Sequence, residues 1–145
     1  MAESLVRILQ VEQVEENFFR GIATPGGRGR SFGGQVIGQA LRAANMTVDA
    51  ERPVHSLHGY FMRPGDATQP VLYQVERDRD GGSFTTRRVV AIQNGKPILN
   101  LAASFQGAEP GLSHQDEMPD EPPPEEVKTE LELPPTCRAN CQRCS

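Results

Sequence analysis

The fold is decided by the stretch Arg30-Ser31-Phe32-Gly33-Gly34-Gln35-Val36-Ile37-Gly38-Gln39-Ala40-Leu41, which places an apolar helix directly after two glycines. Apolar residues recur at three- and four-residue spacing, with Gln39, Arg42 and Asn45 between them, and this pattern predicts one long helix. The apolar positions are Val36, Ile37, Ala40, Leu41, Ala44 and Val48. The helix is expected to end before Arg52-Pro53, because the residue before a proline is pushed out of helical space. Ser31 is the expected N-cap.

The glycine pair gives the start of this helix a possible chemical role. The first N–H groups of a helix have no intrahelical acceptor and carry the positive end of its dipole, so they can hold a phosphate, a carboxylate or a developing oxyanion. The amides of Gly33, Gly34 and Gln35 are the candidates here. A glycine pair equally permits tight packing of a helix on a sheet, so both interpretations stay open.

Outside the helix the apolar pattern has period two, which predicts strands at 17–22, 54–63, 71–79, 84–93 and 96–106. The last three form an expected meander, and Asn94-Gly95 suits a two-residue type I′ hairpin. Residues 3–13 show a weaker helical pattern. One long helix with five strands predicts an α+β domain, an antiparallel sheet wrapped around one central helix, which is the hotdog fold.

Composition limits the partners and the compartment. The net charge of −4 argues against a nucleic acid or an anionic membrane, since both select an excess of Lys and Arg. Residues 1–7 contain an early acid and no apolar run, which argues against a secretory signal or a membrane span. We therefore expect a soluble intracellular protein, placed in the cytoplasm.

The last part of the chain differs from the rest. We expect a domain at 1–107, followed at 108–145 by a Pro/Glu-rich linker and a disordered tail. All three cysteines, Cys137, Cys141 and Cys144, fall in that tail, so the predicted fold is not held by disulfides. Their spacing is similar to that of an iron–sulfur motif in radical enzymes, but such a motif precedes a large domain. Exposed thiols in a disordered tail are the preferred interpretation.

Several long motifs resemble the type II acyl-CoA thioesterases, in order over about residues 5–126. These motifs are Asn17-Phe18-Phe19-Arg20-Gly21, the stretch from Phe32 to Leu41, Val54 to Asp66, Ser83 to Ile98, Ala103-Ser104-Phe105-Gln106 and Met118-Pro119. The resemblance implies hydrolysis of fatty acyl-CoA to free fatty acid and CoA, without a metal or redox cofactor. Members of this family carry two hotdog halves in tandem, and their catalytic acid, hydroxyl and glutamine lie in the second half.

The present chain matches only the first half, so no residue of that triad is carried over. We expect a truncated half with little turnover alone, which forms homo-oligomers or pairs with another hotdog domain, because a hotdog sheet exposes an edge. Two alternatives stay open. One is a non-catalytic hotdog module that binds acyl chains or pairs with a partner, and the other is a single-domain thioesterase that uses His58 in a homodimer.

Candidate site residues follow from these patterns. His58 shares a strand face with Ser56, Tyr60 and Met62, so it is expected in the same groove as the helix start, where it would act as a base. A hydrogen-bonded core histidine is the alternative, and His55 points to the opposite face. No metal ligands are predicted.

Three further groups complete the candidate site. Gln106 ends the last predicted strand at a place similar to that of the catalytic glutamine of the second half, with a solvent-facing strand end as the alternative. Arg63, Arg87 and Arg88 are candidates for the phosphates of CoA. Asp66 follows a Pro-Gly turn and is interpreted as part of that turn. The expected substrate-binding set is Gly33, Gly34, Gln35, Tyr60, Arg63, Arg88 and Gln106.

Overall fold

The computed structural model describes residues 2–128, so Cys137, Cys141 and Cys144 lie outside the described residues. The chain divides into two units, Met1–Pro110 and Gly111–Ser145. The first unit contains two helices, α1 (Ala2–Ile8) and α2 (Gly33–Asn45), and six strands, β1 (Val11–Glu15), β2 (Phe18–Gly21), β3 (Val54–Phe61), β4 (Val71–Asp80), β5 (Phe84–Gln93) and β6 (Lys96–Gln106). The described part of the second unit contains a single 3-10 turn at Pro124–Glu126.

The six strands form one antiparallel sheet in the order β1-β2-β4-β5-β6-β3. Helix α2 packs against one face of it, called the inner face here. Strand residues alternate accordingly, with Val89 and Ala91 of β5 and Leu99 and Leu101 of β6 buried on the inner face. The predicted α+β architecture of a sheet wrapped around one long helix is confirmed, as are the meander of β4, β5 and β6 and its hairpin. Asn94 and Gly95 both have positive φ, 49° and 70°, as a type I′ turn requires.

The sheet has six strands where five were predicted. The additional strand is β1, in a segment whose apolar spacing predicted helix as far as residue 13. A tight turn reverses the chain between β1 and β2, and Asn17 takes the left-handed conformation there with φ 61°. Asparagine adopts that conformation more readily than most residues. Pairing with β2 therefore outweighs the weak helical pattern.

Helix α2 ends earlier than predicted, at Asn45, so Val48 lies beyond it. The hydroxyl of Thr47 donates a 2.7 Å hydrogen bond to the carbonyl of Ala44, and a side chain bonded to the backbone in this way competes with continuation of the helix. The prediction for the other end is also wrong. Phe32 occupies the N-cap and no side chain caps the helix, so Ser31 does not have that role.

Small side chains bring α2 close to the sheet, because Ala40, Ala43 and Ala44 are fully buried against it. A polar pair is buried in the same layer. The hydroxyl of Tyr73 donates a 2.8 Å hydrogen bond to Oε1 of Gln39, and both side chains are completely buried. Burial raises the pKa of the Tyr73 hydroxyl, which therefore stays protonated as a donor.

Gln39 also holds two N-terminal segments of the domain against the central helix. Its Nε2 donates to the carbonyl of Ile8 at 2.6 Å and to that of Ile22 at 3.2 Å. One buried amide thus ties the end of α1 and the segment after β2 to the central helix. Among residues 2–128 no helix is both long and apolar enough to cross a lipid bilayer.

Candidate functional site

A groove with a volume of about 430 Å³ opens beside the start of α2. Its apolar lining comes from Val36 of the helix, Ile98 of β6 and the residues at the end of β3, Phe61 and Met62. Arg30 and Arg63 line the same groove, together with Ser31, Gly33, Pro64 and Gly65. A volume of this size with apolar walls and a few polar groups is typical of small-molecule sites.

Two loops are joined to build this groove. Arg30 and Asp66 form an isolated antiparallel bridge. On either side of it, the amide of Ser31 donates to the carbonyl of Gly65 at 2.8 Å, and the amide of Ala67 donates to the carbonyl of Gly29 at 2.9 Å. The buried side chain of Gln93 holds one loop from beneath, because it accepts from the Asp66 amide at 2.8 Å and donates to the Asp66 carbonyl at 2.9 Å. The segment before α2 and the segment after β3 therefore have one fixed arrangement.

The amides at the start of α2 differ from one another. Within residues 2–128 the N–H groups of Gly33 and Gly34 have no acceptor from the protein. The amide of Gln35, by contrast, donates to the carbonyl of Phe32 at 3.1 Å. Its side chain is also occupied, accepting from the Thr24 hydroxyl at 2.7 Å and donating to the Ile22 carbonyl at 3.2 Å. This corrects the expected amide triplet to a pair, Gly33 and Gly34.

His58 does not lie in this groove, which corrects the expectation that it does. It pairs with Ala102 and Tyr60 pairs with Asn100, whereas the neighbouring pairs, Leu57 with Ala103 and Gly59 with Leu101, lie on the inner face. His58 and Tyr60 do share a face, with ring centroids 4.6 Å apart, but it is the outer face. They line a shallow depression of about 180 Å³ there with Arg88 and Asn100. The sheet separates His58 from the start of α2.

Gln106 and His55 lie at the other end of the domain from the groove. Gln106 and Ile98 are eight residues apart on β6, or about 26 Å at 3.3 Å per residue. The amide of Gln106 donates to the carbonyl of Pro53 at 3.1 Å. His55 Nε2 lies 2.9 Å from the Ser104 hydroxyl, and the histidine ring packs edge-on against Phe84. Within this chain Gln106 cannot reach a ligand bound beside Gly33.

The three predicted phosphate ligands have three different environments. Arg63 is exposed, lines the groove and donates to the carbonyl of Pro97 at 2.8 Å. Arg88 lies on the outer face, in ion pairs with Glu76 and Asp78. Arg87 is 1 % exposed and makes five hydrogen bonds within the protein, so the prediction that it contacts CoA phosphates is wrong.

Sequence reasoning missed Arg30 and Phe61 as groove residues, whereas Met62, on the strand face expected in the groove, does line it. Arg30 lies three residues before Gly33, the first residue of α2, and its position close to the glycines was a usable signal. The prediction that Asp66 is part of a turn is confirmed. Its Oδ1 accepts hydrogen bonds from the amide and the hydroxyl of Thr68, at 2.8 and 2.7 Å. These hydrogen bonds hold the pKa of the Asp66 carboxyl below its ordinary value. In the described part of the chain no three His, Cys, Asp or Glu side chains are placed to hold a metal ion.

One central helix under an antiparallel sheet, with a groove at the start of the helix, defines a hotdog-fold domain. A hotdog-fold protein of unknown function from Alicyclobacillus acidocaldarius superposes with a TM-score of 0.67 at 24% identity, over 84% of this chain and 47% of that chain. At that identity the match supports the fold alone. An acyl-CoA thioesterase II, TesB2, from Mycobacterium marinum superposes with a TM-score of 0.73 at 52% identity, over 86% of this chain and 47% of that chain.

Residues 22–106 match the family described as acyl-CoA thioesterase N-terminal domain. The chain belongs to that family. Human acyl-coenzyme A thioesterase 8 is 52% identical over 121 residues, which cover 83% of this chain and 38% of that protein. The chain therefore spans about two fifths of the length of this curated relative.

Proposed function

We propose that this chain forms the acyl-CoA groove of a thioesterase that hydrolyses fatty acyl-CoA to free fatty acid and CoA. The observation that carries the proposal is the groove at the start of α2, where apolar walls, two arginines and the unpartnered amide of Gly33 meet, with the unpartnered amide of Gly34 next along the helix. Apolar walls suit an acyl chain, and arginines form charge-assisted hydrogen bonds with phosphates. The amides of Gly33 and Gly34 suit the oxyanion that develops as the thioester carbonyl becomes tetrahedral.

The groove supplies substrate binding rather than a base. Among the described residues that line it there is no carboxylate, imidazole or thiol, and the guanidinium groups of Arg30 and Arg63 are hydrogen-bond donors only. Hydrolysis also needs a group that takes the proton of the attacking water. We therefore assign that group to a second hotdog domain placed against this one, and expect little turnover from the chain alone.

Strand β3 is the edge at which such a partner fits. It is hydrogen-bonded to β6 on one side and is the last strand of the sheet on the other. Leu57 and Phe61 of this strand are 42% and 56% exposed. An uncovered edge strand with exposed apolar side chains favours pairing with another sheet. The second domain can come from another copy of this chain or from another hotdog domain.

The reaction belongs to fatty acid metabolism, and we place it in a reducing intracellular compartment such as the cytoplasm. Supporting this placement, residues 1–136 contain no cysteine, so the folded unit does not depend on an oxidising environment. The second candidate function is a hotdog module that binds acyl-CoA without hydrolysing it. The absence of a base among the described groove residues favours it for the chain alone.

Calorimetric titration with a non-hydrolysable acyl-CoA thioether tests the proposal. We expect Arg30→Ala and Arg63→Ala each to weaken binding by about tenfold, the effect of losing one charge-assisted hydrogen bond. Arg42→Ala is the matched control, because Arg42 is an exposed arginine near the other end of α2. Equal affinities for all four proteins, or no binding at all, would contradict the assignment.

Release of free thiol from acyl-CoA separates the two candidate functions. The chain alone is expected to bind substrate and release little thiol, and addition of a partner hotdog domain is expected to raise the rate. Binding that never leads to thiol release with any partner would favour the non-catalytic module.

A further inference from the structure

Gln93 is the last residue of β5, and it is buried, with 6% of its surface exposed. The hydrogen bonds of its side-chain amide reach one loop, residues 62–70, called the Asp66 loop here. Oε1 accepts from the Asp66 amide at 2.8 Å, and Nε2 donates to the carbonyls of Asp66 and Gln69 at 2.9 and 3.0 Å. Nε2 also lies 3.4 Å from the carbonyl oxygen of Pro70. One buried amide therefore fixes the backbone of the loop that joins β3 to β4.

Both groove arginines depend on the Asp66 loop for their backbone positions. Arg63 belongs to the loop itself and lies three residues before Asp66. Arg30 lies on the neighbouring segment and forms the isolated bridge with Asp66, flanked by two backbone hydrogen bonds between the segments. The contact between Gln93 and Asp66 thus supports both arginines, although Gln93 is not among the described residues that line the groove.

The two arginines need this support because their side chains are exposed. The Arg63 guanidinium donates to the Pro97 carbonyl at 2.8 Å, so it is held from one side only. Ordering long side chains and loops on binding lowers affinity, and a backbone that already has the bound arrangement reduces that cost. Two cations on separate segments bind one polyanion together only while the spacing of the segments is kept.

We propose that Gln93 is a positioning residue, whose amide holds Arg30 and Arg63 at the spacing that binds the phosphates of acyl-CoA. The inference rests on the proposed function, which assigns these two arginines to those phosphates. Gln93 acts through the Asp66 loop rather than by contact with the substrate. Its loss should therefore weaken binding of the phosphate-bearing end of the ligand and leave binding of the rest unchanged.

Two non-hydrolysable thioethers with the same acyl chain provide the test. One is a thioether of CoA, which carries the phosphates, and the other is a thioether of pantetheine, which carries none. For the wild-type chain, titration is expected to give at least about tenfold tighter binding of the CoA thioether. Gln93→Met keeps the length of the side chain and removes its amide, and it is expected to lower this preference at least about threefold. Affinity for the pantetheine thioether is expected to change less than about twofold, because no arginine contact is involved.

A double-mutant cycle shows whether Gln93 acts through the arginines. Arg30→Ala and Arg63→Ala, each expected to weaken binding of the CoA thioether about tenfold in the wild type, are expected to weaken it less than about threefold in the Gln93→Met background. Gln93→Asn keeps the amide but is one methylene shorter, and it is expected to give an intermediate preference. This variant carries the comparison if Gln93→Met does not fold.

Arg87→Met is the matched control, because it also removes buried hydrogen bonds but lies at the other end of α2 and outside the groove. It is expected to lower stability and to keep the wild-type preference. An unchanged preference in both Gln93 variants, an equal fall in Arg87→Met, or additive losses for both arginines would overturn the role of Gln93 and leave the groove assignment intact. Failure of the wild type to bind either thioether, or equal affinities for the two, would overturn the proposed function itself.

Discussion

Arg87→Met is expected to lower the free energy of unfolding by about 2–4 kcal/mol, because it removes a buried guanidinium that is fully hydrogen-bonded. Arg87 is 1% exposed, and its five bonds reach the Thr47 hydroxyl and carbonyl, the carbonyls of Arg79 and Thr86, and the carboxylate of Asp80. The Asp80 side chain is 59% exposed, so water can replace the guanidinium as its hydrogen-bond partner in Arg87→Met. The cost therefore comes mainly from Thr47, whose position ends α2, and from the partly buried carbonyls.

Urea unfolding measures this change, and Arg88→Met is the control. Arg88 is the next residue on the same strand, but its side chain is 52% exposed and its ion pairs with Glu76 and Asp78 lie on the outer face. Surface pairs of this kind contribute about 0–1 kcal/mol. Equal effects of the two substitutions would show that Arg87 does not hold the end of the helix.

Gly21→Ala is the second large effect that we expect, a loss of about 2–4 kcal/mol in the free energy of unfolding. The backbone of Gly21 lies against the buried polar pair of Gln39 and Tyr73. An added methyl group would overlap the Gln39 amide oxygen and lie 2.9 Å from Cε2 of Tyr73. The helix, β2 and β4 all meet at this point, so the amide cannot shift without breaking its bonds to Tyr73, Ile8 or Ile22.

Gly82→Ala is the matched control for this substitution. A methyl group there meets no atom within 4 Å, so it is expected to be neutral or slightly stabilising through the unfolded chain. Thermal or urea unfolding of both variants measures the difference in their stability. A Gly21→Ala protein as stable as the Gly82→Ala protein would show that the buried pair tolerates displacement.

Local patterns in the sequence predicted the elements that depend on local physics. Helix α2 follows from its three- and four-residue spacing, β3 to β6 follow from alternation, and the Asn94-Gly95 turn follows from the tolerance of both residues for positive φ. Strand β1 was missed because it forms by pairing with β2. The spacing of apolar residues within one segment does not show which other segment it pairs with.

The site was predicted less well, for a reason that His58 illustrates. Alternation shows which side chains share a strand face, and His58 and Tyr60 do share one. It does not show which face meets the helix, because β3 carries polar or aromatic residues on both sides. The prediction that Arg87 contacts CoA phosphates failed for a related reason, since a polar side chain is buried only when partners from distant segments satisfy it.

Amide NMR spectra of the chain, titrated with a non-hydrolysable acyl-CoA thioether, test the central claim that the groove at the start of α2 holds the thioester. The largest chemical-shift changes are expected at the amides of Gly33 and Gly34, with smaller changes at Phe61 and Ile98. Changes confined to the outer face around His58 and Tyr60, with Gly33 and Gly34 unmoved, would contradict the account.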